Sequence, residues 1–205
     1  MKLRSVSAKG GKLNIYADDI FIMNVSSSVW YSSGYSDGDE IDDDGIEEFK
    51  RMVGGRLAYA GAVRILTLRA HSEKELRDKL LKKYPSESCD FAVERCRELG
   101  FVDDADFAER YASELYEKKH YGVDRIRKEL MIKGVNRELI DEAVGGLDID
   151  EISCIIDIIE KKYKDCLSDE KGLRRVYAGC QRLGYSYSQI RKAIEQMNGE
   201  NSDEY

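Results

Sequence analysis

RIRKELMIKGVNRELIDEAV, residues Arg125 to Val144, decides the fold. Ile126 and Leu130 stand four apart, on one face of a helix. Gly134 comes where a helix C-terminus takes a left-handed residue. Asn136 is an N-cap residue type that opens another helix. The stretch reads as helix, tight turn, helix. Fifty residues later, RVYAGCQRLGYSYSQIRKAI from Arg175 has Val176 and Cys180 at the apolar positions, then Gly184 and Ser186. Gln189, three residues after Ser186, gives a capping-box spacing. Fifty residues earlier, ELRDKLLKKYPSESCDFAV from Glu75 places Leu76, Leu80 and Ser86 in the same register. Gly122 and Gly172 are read as the start of the second helix of their copies, and Ser72, with Glu75 three residues on, as its start in the first. Ahead of each pair lies one more helix. Phe107, Tyr111 and Leu115 form its stripe in the middle copy, with RLAYAGAVRILTLRA and DIDEISCIIDIIEKKYKD in the matching places. Caps and glycines recur along with the leucines, so the period of about fifty predicts tandem three-helix repeats.

The 205 residues suffice for one large domain or several small units. At 36% charged and 42% hydrophobic the composition is that of a globular protein, and a single proline among many Glu, Lys and Leu favours helix. No apolar run reaches the roughly 20 residues that span a bilayer. The first residues lack an apolar signal core, so a cytoplasmic protein is expected. Cys89, Cys96, Cys154, Cys166 and Cys180 are odd in number and widely spaced, which reads as reduced, packed thiols. A net charge of −7 argues against tight non-specific DNA binding by the whole chain.

The start of the chain differs from the rest. KLNIYADDIFIMNVS is rich in Ile, Phe and Val around an Asp-Asp break, a hairpin signal, and a Gly-Gly turn precedes it. Two or three short strands are expected, then a helical turn and loop around Trp30, Tyr31 and Tyr35. Gly54 and Gly55 are expected to kink or divide the first long helix. The resulting fold class is mainly α: three tandem three-helix repeats in a curved array, preceded by an extension containing a β-hairpin. The expected limits are 1–44 for the extension, 45–102, 103–147 and 148–198 for the repeats, and 199–205 for a frayed tail.

Signatures of catalysis are missing from the sequence. It has no phosphate-binding GxxxxGK[ST], no GxSxG and no CxxC, and its two histidines, His71 and His120, lack metal-ligand spacing. EIDDDGIEEFKR resembles a calcium loop at Asp42, Asp44 and Gly45, but Arg51 stands where a bidentate carboxylate is required. Those acids read as the N-terminus of a helix. No cofactor or metal is expected. Cations recur instead: Arg77 matches Arg127, Lys83 matches Lys133, and Arg125 matches Arg175, all off the buried face, while Arg64 and Arg69 flank the start of the shared segment. They read either as a binding stripe or as ordinary surface ion pairs. Tyr111, Tyr116 and Tyr163 stand at core spacings.

Three stretches carry a resemblance: AVRILTLRAHSEKELRDKL (Ala62–Leu80), ELGFVDDADFAERYA (Glu98–Ala112) and YGVDRIRKELMIKGV (Tyr121–Val135). They resemble the RecX family of recombinase regulators, and GCQRLGYSYSQIRKAI resembles the last repeat of that family. There the family tends to Arg-Gly-Phe or Arg-Gly-Tyr, where this chain has Leu183-Gly184-Tyr185. The resemblance implies a non-enzymatic partner of the RecA filament on single-stranded DNA. Such a protein lies in the filament's helical groove and inhibits ATP turnover, strand exchange and promotion of LexA self-cleavage. The contact residues expected on this reading are Arg64, Arg69 and Arg77, then Arg125, Arg127 and Lys133, then Arg174 and Arg175. Asp103 and Asp104 match a family motif and read as caps of the next helix. Weak direct DNA binding stays open. A helix-turn-helix DNA regulator and a general helical scaffold remain as alternatives.

Overall fold

The structure, a computed structural model, describes residues 1–200. Contacts divide the chain into two compact units, Met1–Asp103 and a second from Asp104 onward.

The first unit opens with strands β1 (Leu3–Ala8), β2 (Lys12–Ala17) and β3 (Ile20–Ser26), antiparallel in that order. A three-residue turn, Lys9 to Gly11, joins β1 to β2, and a two-residue turn, Asp18 and Asp19, joins β2 to β3. Gly10 and Gly11 take φ of 75° and 70°, and Asp18 and Asp19 take 45° and 66°. Two left-handed residues in succession give a turn whose twist matches the strands. Period-two alternation sends Leu13, Ile15 and Ala17 of β2 to one face. There they meet Trp30 of α1 (Ser27–Tyr31) and Ile46, Phe49 and Val53 of α2 (Asp43–Leu66). Trp30 stands edge-on to Phe49 with ring centres 5.9 Å apart. The outer edge of β1 is occupied by the following loop: Leu3 N–H donates to Asp39 O (2.9 Å) and Gly38 N–H to Leu3 O (2.8 Å).

Helix α2 runs unbroken through Gly54 and Gly55, against the expected kink. The glycines are there for space. A Cβ on Gly55 would stand 2.7 Å from the Phe91 ring, and one on Gly54 2.5 Å from Ser88 Oγ. Helix α4 (Ser86–Glu98) packs on α2 at this point, and the close approach offsets the cost of two helical glycines. The first half of α2 therefore covers the sheet. Its second half, through Ala58 and Ala62, forms the core of the first repeat with α3 (Glu73–Leu80) and α4. Asp42 is the N-cap of α2, accepting from Gly45 N–H at 2.8 Å.

The second unit contains α5 (Asp104–Lys119), α6 (Val123–Ile132) and α7 (Arg137–Gly145), then α8 (Glu151–Lys162), a 3-10 turn (Lys164–Cys166), α9 (Glu170–Arg182) and α10 (Tyr187–Glu200). The aligned apolar pairs are all interior: Leu76 and Leu80, Ile126 and Leu130, Val176 and Cys180 are at most 1% exposed. Each of these aliphatic side chains contributes about 2 kcal/mol through burial. The expected frayed tail is helical at Gly199 and Glu200, and its remainder, 201–205, lies outside the described residues.

Two of the expected caps are displaced. Asn136 caps α7 through Leu139 N–H (2.9 Å), and Ser186 and Gln189 form the reciprocal capping box of α10 (3.3 and 2.7 Å). Ser86, however, is the first residue of α4, behind an N-cap Pro85. From Leu80 to the cap at Pro85 the chain advances one residue fewer than from Leu130 to Asn136 or from Cys180 to Ser186. The left-handed residue supplied by Gly134 (φ 85°) and Gly184 (φ 100°) has no equivalent there. Past that turn the first repeat matches the second at an offset of 51: Cys89, Ala92 and Val93 occupy the places of Ile140, Ala143 and Val144. Gly172 likewise lies buried inside the first turn of α9, whose cap is Asp169. Gly122 does cap α6, without a side chain, and Glu151 of α8 supplies the missing acceptor to Val123 N–H (3.1 Å).

Candidate partner-binding surface

The expected contact residues divide by what already holds them. In the first repeat Arg77 reaches from α3 to α4. Its Nε donates to Asp90 Oδ1 (2.6 Å), and its Nη2 to Asp90 Oδ2 (3.3 Å) and Ser86 Oγ (2.8 Å). In the second repeat Arg127 makes the same bridge from α6 to Asp141 of α7, and Arg137 Nε stands 3.9 Å from the other oxygen of that carboxylate. The Arg77 and Arg127 guanidiniums hold the Asp90 and Asp141 carboxyls below the usual carboxylate range. Both pairs are open to solvent, so they fix side-chain direction and add little to stability. A guanidinium in such a pair still presents donors outward.

Arg69 and Arg125 are more deeply committed. Arg69 forks onto Glu75, a carboxylate only 16% exposed, at 2.9 and 2.8 Å, and also donates to Ala70 O (2.8 Å). This clamps the link between α2 and α3. His71 lies buried beside it, with Nδ1 2.8 Å from Arg69 O and Nε2 2.6 Å from Lys79 Nζ. An ammonium has only donors, so Nε2 is the accepting nitrogen and Nδ1 carries the proton. Arg125 lies 3.7 Å over the Tyr121 ring and donates to Tyr121 Oη (2.9 Å) and to the Arg182 carbonyl. It joins repeats two and three. Beside it Gly122 N–H donates to Leu183 O (2.8 Å) and Tyr185 Oη to His120 O (3.0 Å). Tyr116 belongs to the same seam: Asp150 N–H donates to its hydroxyl (2.8 Å), and burial pushes that phenol up to about 12.

The remaining cations lie nearer solvent. The Lys133 ammonium stands 5.6 Å from the Tyr111 ring centre. Arg174 pairs with Glu170 one helical turn away, both well exposed. Among the described residues Arg64, in the last turn of α2, and Arg175, on α9, are exposed and form no ion pair. The structure thus brings Arg127 to Arg137 and ties Arg125 to the third repeat. Sequence reasoning passed over Arg137 because it has no cationic counterpart in the other copies. Its signal was its place just behind the Asn136 cap, where a side chain points to solvent.

Among the described residues no group of three His, Cys, Asp or Glu stands together as metal ligands, and no helix is long and apolar enough to cross a membrane. All five cysteines are free thiols, and burial pushes the Cys180 thiol up to about 11. The molecule is a tandem three-helix-repeat protein carrying a three-stranded sheet at its start.

Comparison with known proteins gives this class a family. The model of the RecX first three-helix domain matches residues 58–96, and that of the RecX second three-helix domain matches residues 103–144. The regulatory protein RecX of Bacillus velezensis is 30% identical over 199 residues, covering 94% of this chain and 75% of that protein. Its counterpart from Clostridioides difficile is 24% identical, over the full length of this chain and 97% of its own. A crystal structure of regulatory protein RecX shares the fold over 95% of this chain and 98% of its own, with a TM-score of 0.69 at 21% identity. The crystal structure of RecX from Lactobacillus salivarius aligns with 71% of the chain at a TM-score of 0.61. The chain belongs to the RecX family of regulatory proteins.

Proposed function

We propose that this protein binds the RecA filament assembled on single-stranded DNA, lies in the filament's helical groove, and lowers its ATP turnover, strand exchange and promotion of LexA self-cleavage. It acts by binding and not as an enzyme, in the cytoplasm, on DNA repair, recombination and the SOS response. Membership of the RecX regulators across nearly the whole chain carries this reading. The arrangement of the cations supports it. Arg64, Arg174 and Arg175 offer charge to a partner directly. Arg77 and Arg127 present preset guanidiniums whose exposed pairs are cheap to rearrange. Lys133 adds a cation in the second repeat, and Arg69 and Arg125 act chiefly by holding the frame. Contacts repeated in successive units to successive RecA protomers act multivalently, so the assembled filament is preferred over free RecA.

Co-sedimentation with RecA filaments, set against binding to monomeric RecA, tests this. The protein should pellet with filaments, and Arg64→Ala with Arg175→Ala should weaken pelleting while leaving the circular dichroism unchanged. Equal affinity for monomer and filament, or none for either, would overturn the reading.

A further inference from the structure

The equivalent place between the second and third helices differs in the three repeats. In the first repeat the Arg77 fork is satisfied by Asp90 and Ser86 together. In the third, Tyr177 stacks on Tyr187 with ring centres 4.4 Å apart, covering the α9–α10 seam. In the second, the place is open. A cleft of about 570 Å³ between α6 and α7 is lined by Arg127, Met131, Gly134, Val135, Arg137 and Ile140. Val135 and Ile140 are buried and form its floor. Met131 is 64% exposed and the Arg137 side chain 94% exposed, so an apolar wall and a cation flank the opening.

We propose that this cleft takes a short segment of a protein partner in which an apolar side chain lies next to carboxylates. The proposal rests on the reading that the chain works by gripping a protein, and it names the chemistry of the gripped segment. Charge complementarity selects the occupant. Arg127 and Arg137 share one carboxylate, Asp141, so the rim carries an excess of positive charge that an incoming Asp or Glu would balance with a bidentate pair. The aliphatic floor suits an inserted Leu or Phe, and methionine adapts to either. A nucleotide fits poorly because the lining offers no aromatic face for a base to stack upon.

The test uses the whole chain, labelled at the methionine and isoleucine methyls, titrated by NMR with a synthetic heptapeptide of Leu-Phe flanked by acidic residues. Saturable shifts at Met131 and Ile140 are expected. They should weaken roughly tenfold or more with Arg137→Glu, and similarly when lysines replace the acids of the peptide. Arg137 is almost fully exposed, so that variant keeps the fold, which the unperturbed Ile155 and Ile190 methyls would verify. No saturable shift at millimolar peptide, or equal shifts with the lysine peptide, overturns the proposal. No RecA is present, so this outcome is separate from failure of the filament reading.

Discussion

Repeats two and three share a backbone and differ in what covers it. Both bury an i, i+4 pair on the second helix, end that helix on a left-handed glycine, and open the third helix with a side-chain cap. On the outside, repeat two sets Arg127 and Arg137 around Asp141 beside an exposed Met131, while repeat three closes the same place with two stacked tyrosines. The core and the caps specify the unit. The seam between the second and third helices differs from copy to copy.

The cores differ as well, and this gives the largest expected effect. Leu130→Ala should cost about 3 kcal/mol in chemical denaturation, because a fully buried Leu leaves a cavity. Cys180→Ala, at the matching place in repeat three, should cost about 1 kcal/mol, since much less volume is removed. Equal losses would break the claim that the two core positions are equivalent in place and differ in the volume they fill.

Next comes the junction that ties the two repeats. Gly184 has a φ of 100°, and a Cβ there would stand 2.5 Å from Arg125 Cβ. Gly184→Ala should therefore lose about 2 kcal/mol, from backbone strain and crowding together. Gly100, at φ 68° with open space around it, is the control, and Gly100→Ala should lose about 1 kcal/mol. A smaller effect is expected from Glu151, which accepts from Val123 N–H and from Gln189 Nε2 and so caps a helix of the neighbouring repeat. Glu151→Ala should cost about 1 kcal/mol, read as a lower denaturation midpoint.

The first repeat extends the comparison through pH. His71 stands where repeat two has Tyr121. Burial lowers its pKa from 6.5, and the Arg69 and Lys79 charges push the same way against the bond to Arg69 O. The folded state thus disfavours the protonated ring, and the unfolded chain binds the extra proton first. Stability from His71 is complete above about pH 6.5 and declines as pH falls through that value toward the lowered pKa. The denaturation midpoint of the native chain should drop between pH 7 and pH 5, and His71→Gln should flatten that slope. An unchanged slope would remove the pH-sensitive joint from the account.

Local signals carried most of the fold. The stripes of Ile126 and Leu130, the Asn136 cap and the Ser186–Gln189 box are set within four or five residues, so sequence spacing reports them directly. Two features were hidden for a common reason: they depend on a neighbour far along the chain. Gly54 and Gly55 read as breakers until Ser88 and Phe91 are placed against them. The one-residue offset after α3 is visible only when the buried faces of α4 and α7 are compared. The candidate site was half legible. Its arginines could be numbered, but Asp90 and Asp141, 13 and 14 residues away, decide which way Arg77 and Arg127 face. The cleft beside Met131 could not be read at all, because its openness in repeat two is defined by what fills the other copies.

The most direct measurement is RecA ATP hydrolysis on single-stranded DNA, using the recombinase from the same source, with increasing amounts of this protein. The account predicts a fall at substoichiometric ratios, shifted to higher concentration by Arg127→Ala. Unchanged hydrolysis, together with no sedimentation on filaments, would contradict it.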